Sequence, residues 1–447
     1  MSILFWFRND LRIQDNEALA RAISSGESVA PIFALPANFE QLAPIRRNSL
    51  LASLESLQND LPVKLGILKE ALEVPLVAQS LGATKVLASR AFDTNGMLLQ
   101  ASVGEMLFEL GIPLELVGSN YAVEPGTVRK DDGSSLRVYT PFYKRWNLID
   151  PGAPIRVDSG KANWIEFEGG HGLPEYSSSA PFKIRAGEAF ALETLEKFKA
   201  RALSNYAEGR NRMDQSGTSH LSHALAHGEI HPRTILAGIG NSASEEVFRK
   251  EICWREFYAD VLFHNPHTLT EYFNDSFASM SYSDPVAQSA LLEAWQEGRT
   301  GYPVVDAAMR QLLTTGWMHN RARMVVASFL VKDLHFEWQV GASWFERHLS
   351  DFDPASNSHG WQWTAGCGTD ASPYYRVFNP VLQGLKFDPQ GDYVRRYVPE
   401  LRHIQGPAVH TPWDCIDGYV NGYPAQIVDH AKERDEALER LKALKGQ

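Results

Sequence analysis

The 447-residue sequence predicts two architectures in one chain: a Rossmann-like α/β domain with a five-stranded parallel sheet, followed by an all-α domain. Three observations predict it. Up to about residue 120, short apolar runs alternate with helical stretches, as a parallel sheet covered on both faces requires. From about 150 to 184 the chain is rich in Gly, Pro and Ser with little periodicity, the mark of a connector. After about Phe190, helical periodicity dominates. The length also exceeds what one core usually accommodates. The expected segments are an α/β domain over 1–125, an interdomain connector over 126–190 and a helical domain over 191–447.

Strands are expected at 3–7, 29–35, 63–68, 85–88 and 114–117, with helices at 18–23, 49–57, 71–81 and 97–110 between them. Arg8, Asn9 and Asp10 stand at the carboxyl end of the first strand, where such sheets bind ligands. That turn lacks both G-x-G-x-x-G and G-x-x-x-x-G-K-[ST], so no nucleotide fingerprint supports a ligand there. In the second half a helix is expected over 245–263: Ser242 and Glu245 have capping-box spacing, and Trp254, Phe257, Tyr258, Val261 and Leu262 recur at helical intervals. Helices at 306–313 and 319–334 follow, and a charged one at 427–444 closes the chain.

Hydrophobic content of 44% and charged content of 22% are those of a soluble globular protein. No apolar run of membrane-spanning length and no signal peptide is found, so a cytoplasmic protein is expected; a monomer is expected as well. Cys253, Cys367 and Cys415 have neither disulfide-framework nor zinc spacing, which suggests reduced cysteines and no metal site. The net charge of −11 excludes a protein that coats nucleic acid through its overall charge. Any DNA contact must come from a local basic patch, because phosphate attraction is screened over about 8 to 10 Å. Eight of the eleven tryptophans lie at or after Trp254, a density that core packing alone also produces.

Four stretches could carry chemistry. Glu251, Trp254, Arg255 and Tyr258 share one helix face, which suits either a site or a surface ion pair over a core tryptophan. Asn320, Arg323 and Met324, adjacent to Arg321, offer an amide, guanidinium groups and a thioether to a flat heteroaromatic ligand, or form an incidental basic face. From Asp351 to Trp363, two carboxylates (Asp351, Asp353), Asn357 and two tryptophans (Trp361, Trp363) occur within thirteen residues punctuated by Pro and Gly. Gly217 to Ser222 gathers hydroxyls and backbone N–H groups at a helix start, an anion cradle or a simple cap. Taken together, a phosphate cradle and polar groups in a Trp-rich helical half imply a buried aromatic cofactor.

These stretches resemble the photolyase/cryptochrome family over essentially the whole chain. The quoted residues are the run from Leu4 to Arg12 with Asp15 and Asn16, then 126–143. Further on come Trp254 to Tyr258, Thr300 to Pro303, Gly316 to Arg321, and Trp361 to Trp363 with Gly368 to Asp370. Within the family the pattern is most similar to class I cyclobutane pyrimidine dimer photolyases. The resemblance implies FAD held by Tyr206, Thr218, Ser219, Leu221 and Ser222 around the phosphates and ribose, with Arg255, Asn320 and Arg323 supporting the flavin. Asp351 and Asp353 would flank it, and Asn357 would face its N5, as in repair enzymes.

Glu251, Trp254, Asn320, Met324 and Trp363 match the dimer pocket, with Arg321 on the DNA phosphates, whereas (6-4) enzymes carry His in place of Asn320. The implied partner is UV-damaged DNA containing cyclobutane pyrimidine dimers, and the implied reaction is light-driven electron transfer from reduced FADH⁻ to a flipped-out dimer. Trp361 and Trp338 match the inner members of a photoreduction chain. Where its surface member belongs, Ser281 to Pro285 supplies only Tyr282, which leaves Tyr282 or an exit through Trp344. A folate or deazaflavin antenna is a family option that nothing in the sequence selects. The alternative is a cryptochrome-like blue-light photoreceptor; a redox flavoprotein or single-strand-binding module lacks its fingerprint here.

Overall fold

The computed structural model describes residues 1–167, 169–179, 184–370 and 375–445. Contacts divide the chain into two compact units: Met1–Arg201 with Ser219–Pro266, and Ala202–Thr218 with His267–Gln447. This division differs from the three segments expected above, since 219–266 joins the first unit.

The first unit is built on parallel strands β1 (Ser2–Phe7), β2 (Ser28–Ala34), β3 (Gly66–Leu68), β4 (Ala83–Ala88) and β5 (Leu114–Leu116), in the order β3-β2-β1-β4-β5. A two-residue sixth strand, β6 (Asn163–Trp164), pairs with the start of β2. Strand alternation splits β1 between two cores. Ile3, Phe5 and Phe7 pack with Leu19, Leu50 and Leu54 on one face; Leu4 and Trp6 pack with Val77, Val103 and Leu107 on the other.

The Arg8–Asp10 turn is spent internally. Asp10 accepts from the Arg8 amide at 2.7 Å, Ser89 Oγ at 2.5 Å and Asn16 Nδ2 at 3.2 Å. Arg12 donates to the Gly228 carbonyl at 2.9 Å, and the Leu11 amide to the His227 carbonyl at 3.1 Å. Gly228 has φ +65°, and a Cβ there would lie 1.8 Å from the Asn9 carbonyl oxygen. Only glycine admits that approach, which fastens the segment after Ser219 to the strand.

The long helix Ala243–His264 carries the full capping box, Ser242 with Glu245. Its buried Glu256 accepts from the amides of Ala122 (2.5 Å) and Val123 (3.0 Å) and from Trp146 Nε1 (2.6 Å).

In the second unit, helices Pro303–Thr315, Asn320–Lys332, Trp338–His348 and Pro354–Ala365 enclose one core that includes Trp295, Trp338 and Trp361. The Thr300–Pro303 motif is a folding device. Fully buried Asp306 accepts from Thr300 N (2.7 Å), Thr300 Oγ1 (2.6 Å), Gly301 N (3.0 Å) and Tyr423 Oη (2.6 Å). Among the described residues no helix is long and apolar enough to cross a membrane.

Candidate functional site

In the first unit, Glu251, Trp254, Arg255 and Tyr258 are the half-buried face of the Ala243–His264 helix, while Ile252, Cys253, Glu256 and Phe257 are buried. The helical spacing therefore identified the semi-exposed stripe. Trp254 lies flat on Tyr139, with ring centroids 3.7 Å apart and planes 4° apart, and Tyr139 is fixed by donating to the Lys250 carbonyl at 2.8 Å. One indole face is thus backed by a rigid aromatic. Arg255 directs its guanidinium to the carbonyls of Asn120 (2.9 Å) and Leu225 (3.4 Å) and sits 4.7 Å over the Tyr121 ring; its Nε is buried without a partner.

Ser219, Leu221 and Ser222 belong to this unit as well. Leu221 is buried and its amide donates to Ser219 Oγ at 3.4 Å. His220 adopts φ +54°, a left-handed conformation that costs a non-glycine residue of the order of 1–3 kcal/mol. Ser222 opens the helix Ser222–His227. Behind it lies a polar cluster that the sequence did not signal. Ser49 Oγ and Ser53 Oγ lie 3.1 and 3.2 Å from the two ring nitrogens of His223, whose Nε2 is 3.4 Å from buried Glu229. Burial pushes the Glu229 carboxyl up, but His223 and then His227 outweigh it and hold it at about 2.

In the second unit, Tyr206 is buried and Thr218 half-buried. Gly217 abuts Gly209 so closely that a Cβ would meet the Gly209 carbonyl oxygen at 2.3 Å, which fixes the chain leading into Thr218. Asn320 opens the Asn320–Lys332 helix on its exposed side, while Arg321, Arg323 and Met324 are half-buried. Arg321 donates to Asn211 Oδ1 at 2.6 Å and lies 4.4 Å over the Phe387 ring. Arg323 pairs with Asp351 Oδ2 at 2.6 Å and donates through Nε to the Met318 carbonyl at 2.8 Å.

Asp353 caps the next helix, accepting from the Ser356 amide at 2.7 Å. Asn357 donates to the Ala342 carbonyl at 3.1 Å. Trp361 is buried against Phe345 and Trp295, with centroids at 5.0 and 6.2 Å, and its ring lies over Gly341, where a Cβ would come within 2.1 Å of it. Trp338 sits one turn before Gly341 on the same helix. Trp363 donates to the Asp370 carbonyl at 3.1 Å. Tyr282 stacks on Tyr272, and Trp344 lies against His348 at 4.0 Å.

Asp351 Oδ1, Asn357 Oδ1 and Trp361 Nε1 are buried without a protein partner, as are the indole nitrogens of Trp338 and Trp344. Each such atom costs about 1–3 kcal/mol if left unsatisfied, and Asp351, Asn357 and Trp361 lie on the Pro354–Ala365 helix or just before it, which fits a bound group that supplies donors and acceptors. Residues 248–443 match the family model for the FAD binding domain of DNA photolyase, and residues 3–156 match that for DNA photolyase.

The chain belongs to the DNA photolyase family.

It is 37% identical to the deoxyribodipyrimidine photo-lyase of Agrobacterium fabrum, over 99% of this chain and 98% of that one. With the enzyme of the same name from Vibrio cholerae it shares 36% identity over 99% and 100%. Among solved structures it is similar to a bacterial class III photolyase from Agrobacterium tumefaciens (TM-score 0.88, 36% identity, 100% of this chain and 98% of that one). It is also similar to a Synechocystis cryptochrome (0.87, 28%, 98% of each chain) and to an archaeal photolyase from Sulfolobus tokodaii (0.86, 25%, 99% and 100%). The archaeal structure contains two FAD molecules, with the implication of a novel light-harvesting cofactor. As a photolyase, this chain is a lyase of DNA repair that binds FAD.

Proposed function

We propose that this photolyase acts as a monomer in the cytoplasm, binds DNA carrying a cyclobutane pyrimidine dimer, and splits the flipped-out dimer by light-driven electron transfer. Bound FAD, in its reduced form, supplies the chemistry: donation of one electron under light, regained when the cyclobutane ring has opened. The chain's own groups bind, orient and exclude water. Tyr206, Thr218, Ser219, Leu221 and Ser222 hold the phosphate and ribose region; Arg255, Asn320, Arg323, Asp351, Asp353 and Asn357 hold the flavin. The observation that carries this reading is the buried, unpartnered Asn357 Oδ1, on the helix that also bears Trp361 and Trp363.

Trp254 and Trp363 present aromatic faces on which an extruded dinucleotide stacks, at about 1–3 kcal/mol per base. Glu251 accepts from the imide of the dimer, Asn320 and Met324 line the pocket, and Arg321 contacts the phosphates. The Asn at 320 favours cyclobutane dimers over (6-4) photoproducts. Trp361 and Trp338 would carry electrons toward an oxidised flavin. The likeness to a cryptochrome keeps a blue-light sensor as the second reading, because the fold accommodates both.

Replacing Trp254 by Ala should weaken binding to a dimer-containing duplex by about tenfold or more, from the loss of one stacked base, while FAD is retained. Titration of damaged and undamaged duplexes checks this; wild-type preference for the damaged duplex in the variant would contradict the pocket assignment.

A further inference from the structure

We propose that Tyr272, with Glu337 as its proton acceptor, is the residue that returns an electron to oxidised Trp338 during photoreduction, and that Tyr282 continues this route outward. The proposal rests on the electron-transfer reading above and names a member of the chain that the sequence did not reveal.

The aromatic path is continuous in the second unit. The buried Tyr272 ring lies 6.3 Å from that of buried Trp338, edge to face at 85°. On its other side Tyr272 is stacked with half-buried Tyr282 at 6.3 Å and 18°. Trp344, the alternative exit, is backed by His348 and by Arg347 at 5.5 Å, a cation that disfavours a positive charge on the indole.

The hydroxyl partners separate the two tyrosines. A phenol that loses an electron becomes strongly acidic, so it gives up an electron readily only where a base can take its proton at the same time. Tyr272 Oη donates to Glu337 Oε1 at 2.9 Å. Glu337 directly precedes Trp338 at the helix start, so the base and the oxidised indole are neighbours in the chain. Tyr282 Oη donates to the Phe277 carbonyl at 3.2 Å, an oxygen that cannot carry the proton away. Burial, then the Tyr282 hydroxyl and Glu337, push the Tyr272 phenol up, so it rests protonated.

The segment is also pinned. Gln362, between Trp361 and Trp363, accepts from the Phe273 amide at 2.7 Å and donates to the Thr268 carbonyl at 2.9 Å; Gln339 donates to the Thr270 carbonyl at 3.2 Å. Bonds from both tryptophan-bearing helices thus hold Tyr272 in place.

The step balances. The Trp338 radical cation gains one electron from Tyr272, whose O–H bond breaks as its proton passes to the Glu337 carboxylate. Neutral Trp338, a neutral Tyr272 phenoxyl and a protonated Glu337 result. An external thiolate then gives one electron by way of the Tyr282 side, becoming a thiyl radical, and Glu337 returns the proton to restore the phenol.

Flash absorption of the FAD-loaded protein with dithiothreitol tests this. In the wild type the tryptophan radical band should convert into the phenoxyl band, with a slowing in deuterated solvent. Tyr272→Phe should form the tryptophan radical at undiminished amplitude but no phenoxyl, and the radical should persist about a hundredfold longer. Glu337→Gln keeps the ring and an acceptor but no base, and should slow the conversion and remove the solvent isotope effect; it tests the role independently if Tyr272→Phe folds poorly. FAD content and melting temperature report any merely structural loss. Wild-type phenoxyl formation in Tyr272→Phe, or an unchanged isotope effect in Glu337→Gln, would overturn the proposal alone. Absence of any tryptophan radical in the wild type would overturn the electron-transfer reading beneath it.

Discussion

Asp351→Ala should lose FAD. The Asp351 carboxylate is almost wholly buried, with a side-chain exposure of 1%, and one of its oxygens holds the Arg323 guanidinium at 2.6 Å. Removing it frees a half-buried cation and deletes the buried, unpartnered Asp351 Oδ1, the acceptor proposed to meet the bound group. Losing one buried hydrogen bond to the bound group costs about 1–3 kcal/mol, roughly a 5- to 150-fold loss of FAD affinity. Asp351→Asn keeps the volume and one acceptor and should lose less. Flavin fluorescence titration of the stripped protein measures both, and wild-type affinity in Asp351→Ala would exclude this carboxylate from the cofactor site.

The stability of the first unit should fall as pH rises from about 4.5 to about 7, through Glu256. Burial is the larger influence and pushes this carboxyl up to about 7, against the hydrogen bonds from Trp146 and Ala122 that favour its anion. A folded value above the unfolded one means that the native state binds the proton more tightly. The contribution is therefore fully present below about pH 4.5 and lost as pH climbs through 7. At 1.36 kcal/mol per pH unit, the rise from 4.5 to 7 is worth about 3 kcal/mol. Glu256→Gln stays neutral throughout; it should be less stable in acid, because its amide nitrogen faces N–H donors, but should show a flatter pH profile. Urea unfolding at pH 5 and pH 7.5, followed by tryptophan fluorescence, gives the comparison. Equal slopes for both proteins would refute the assignment.

The sheet was legible because its strands are buried on both faces and read as apolar runs. The expected boundaries of β1, β2, β4 and β5 lie within two residues of the observed ones. β3 is shorter than expected, and β6 gives no signal because two residues carry no period. The helix observed over Pro44–Asp60 was visible only in part. Buried Asn48, Ser49 and Ser53 interrupt its apolar pattern, two of them because they serve His223 and one because it exchanges hydrogen bonds with Ser177. The association of 219–266 with the sheet depends on Gly228 meeting Asn9, a tertiary contact without local sequence trace.

Among the candidate residues, helical spacing accounts for the half-buried stripe from Glu251 to Tyr258 and for the half-buried Arg323 and Met324 beside exposed Asn320. Roles for Asp351, Asn357 and Trp361 came only with the family resemblance. Tyr272 stayed hidden because it meets Trp338 only through the tertiary fold, with several helices between them in the chain. Asp353 serves as a helix cap, and the Thr300–Pro303 motif serves the fold through Asp306; both are family-motif residues whose visible contacts here are structural.

Dimer repair is measured by illuminating the FAD-loaded, chemically reduced protein with a UV-irradiated oligonucleotide and counting thymine dimers against a dark control. Dimers should disappear only under light and catalytically, with many removed per protein molecule. Dimer counts equal to the dark control, with reduced flavin bound throughout, would contradict repair and favour the sensor.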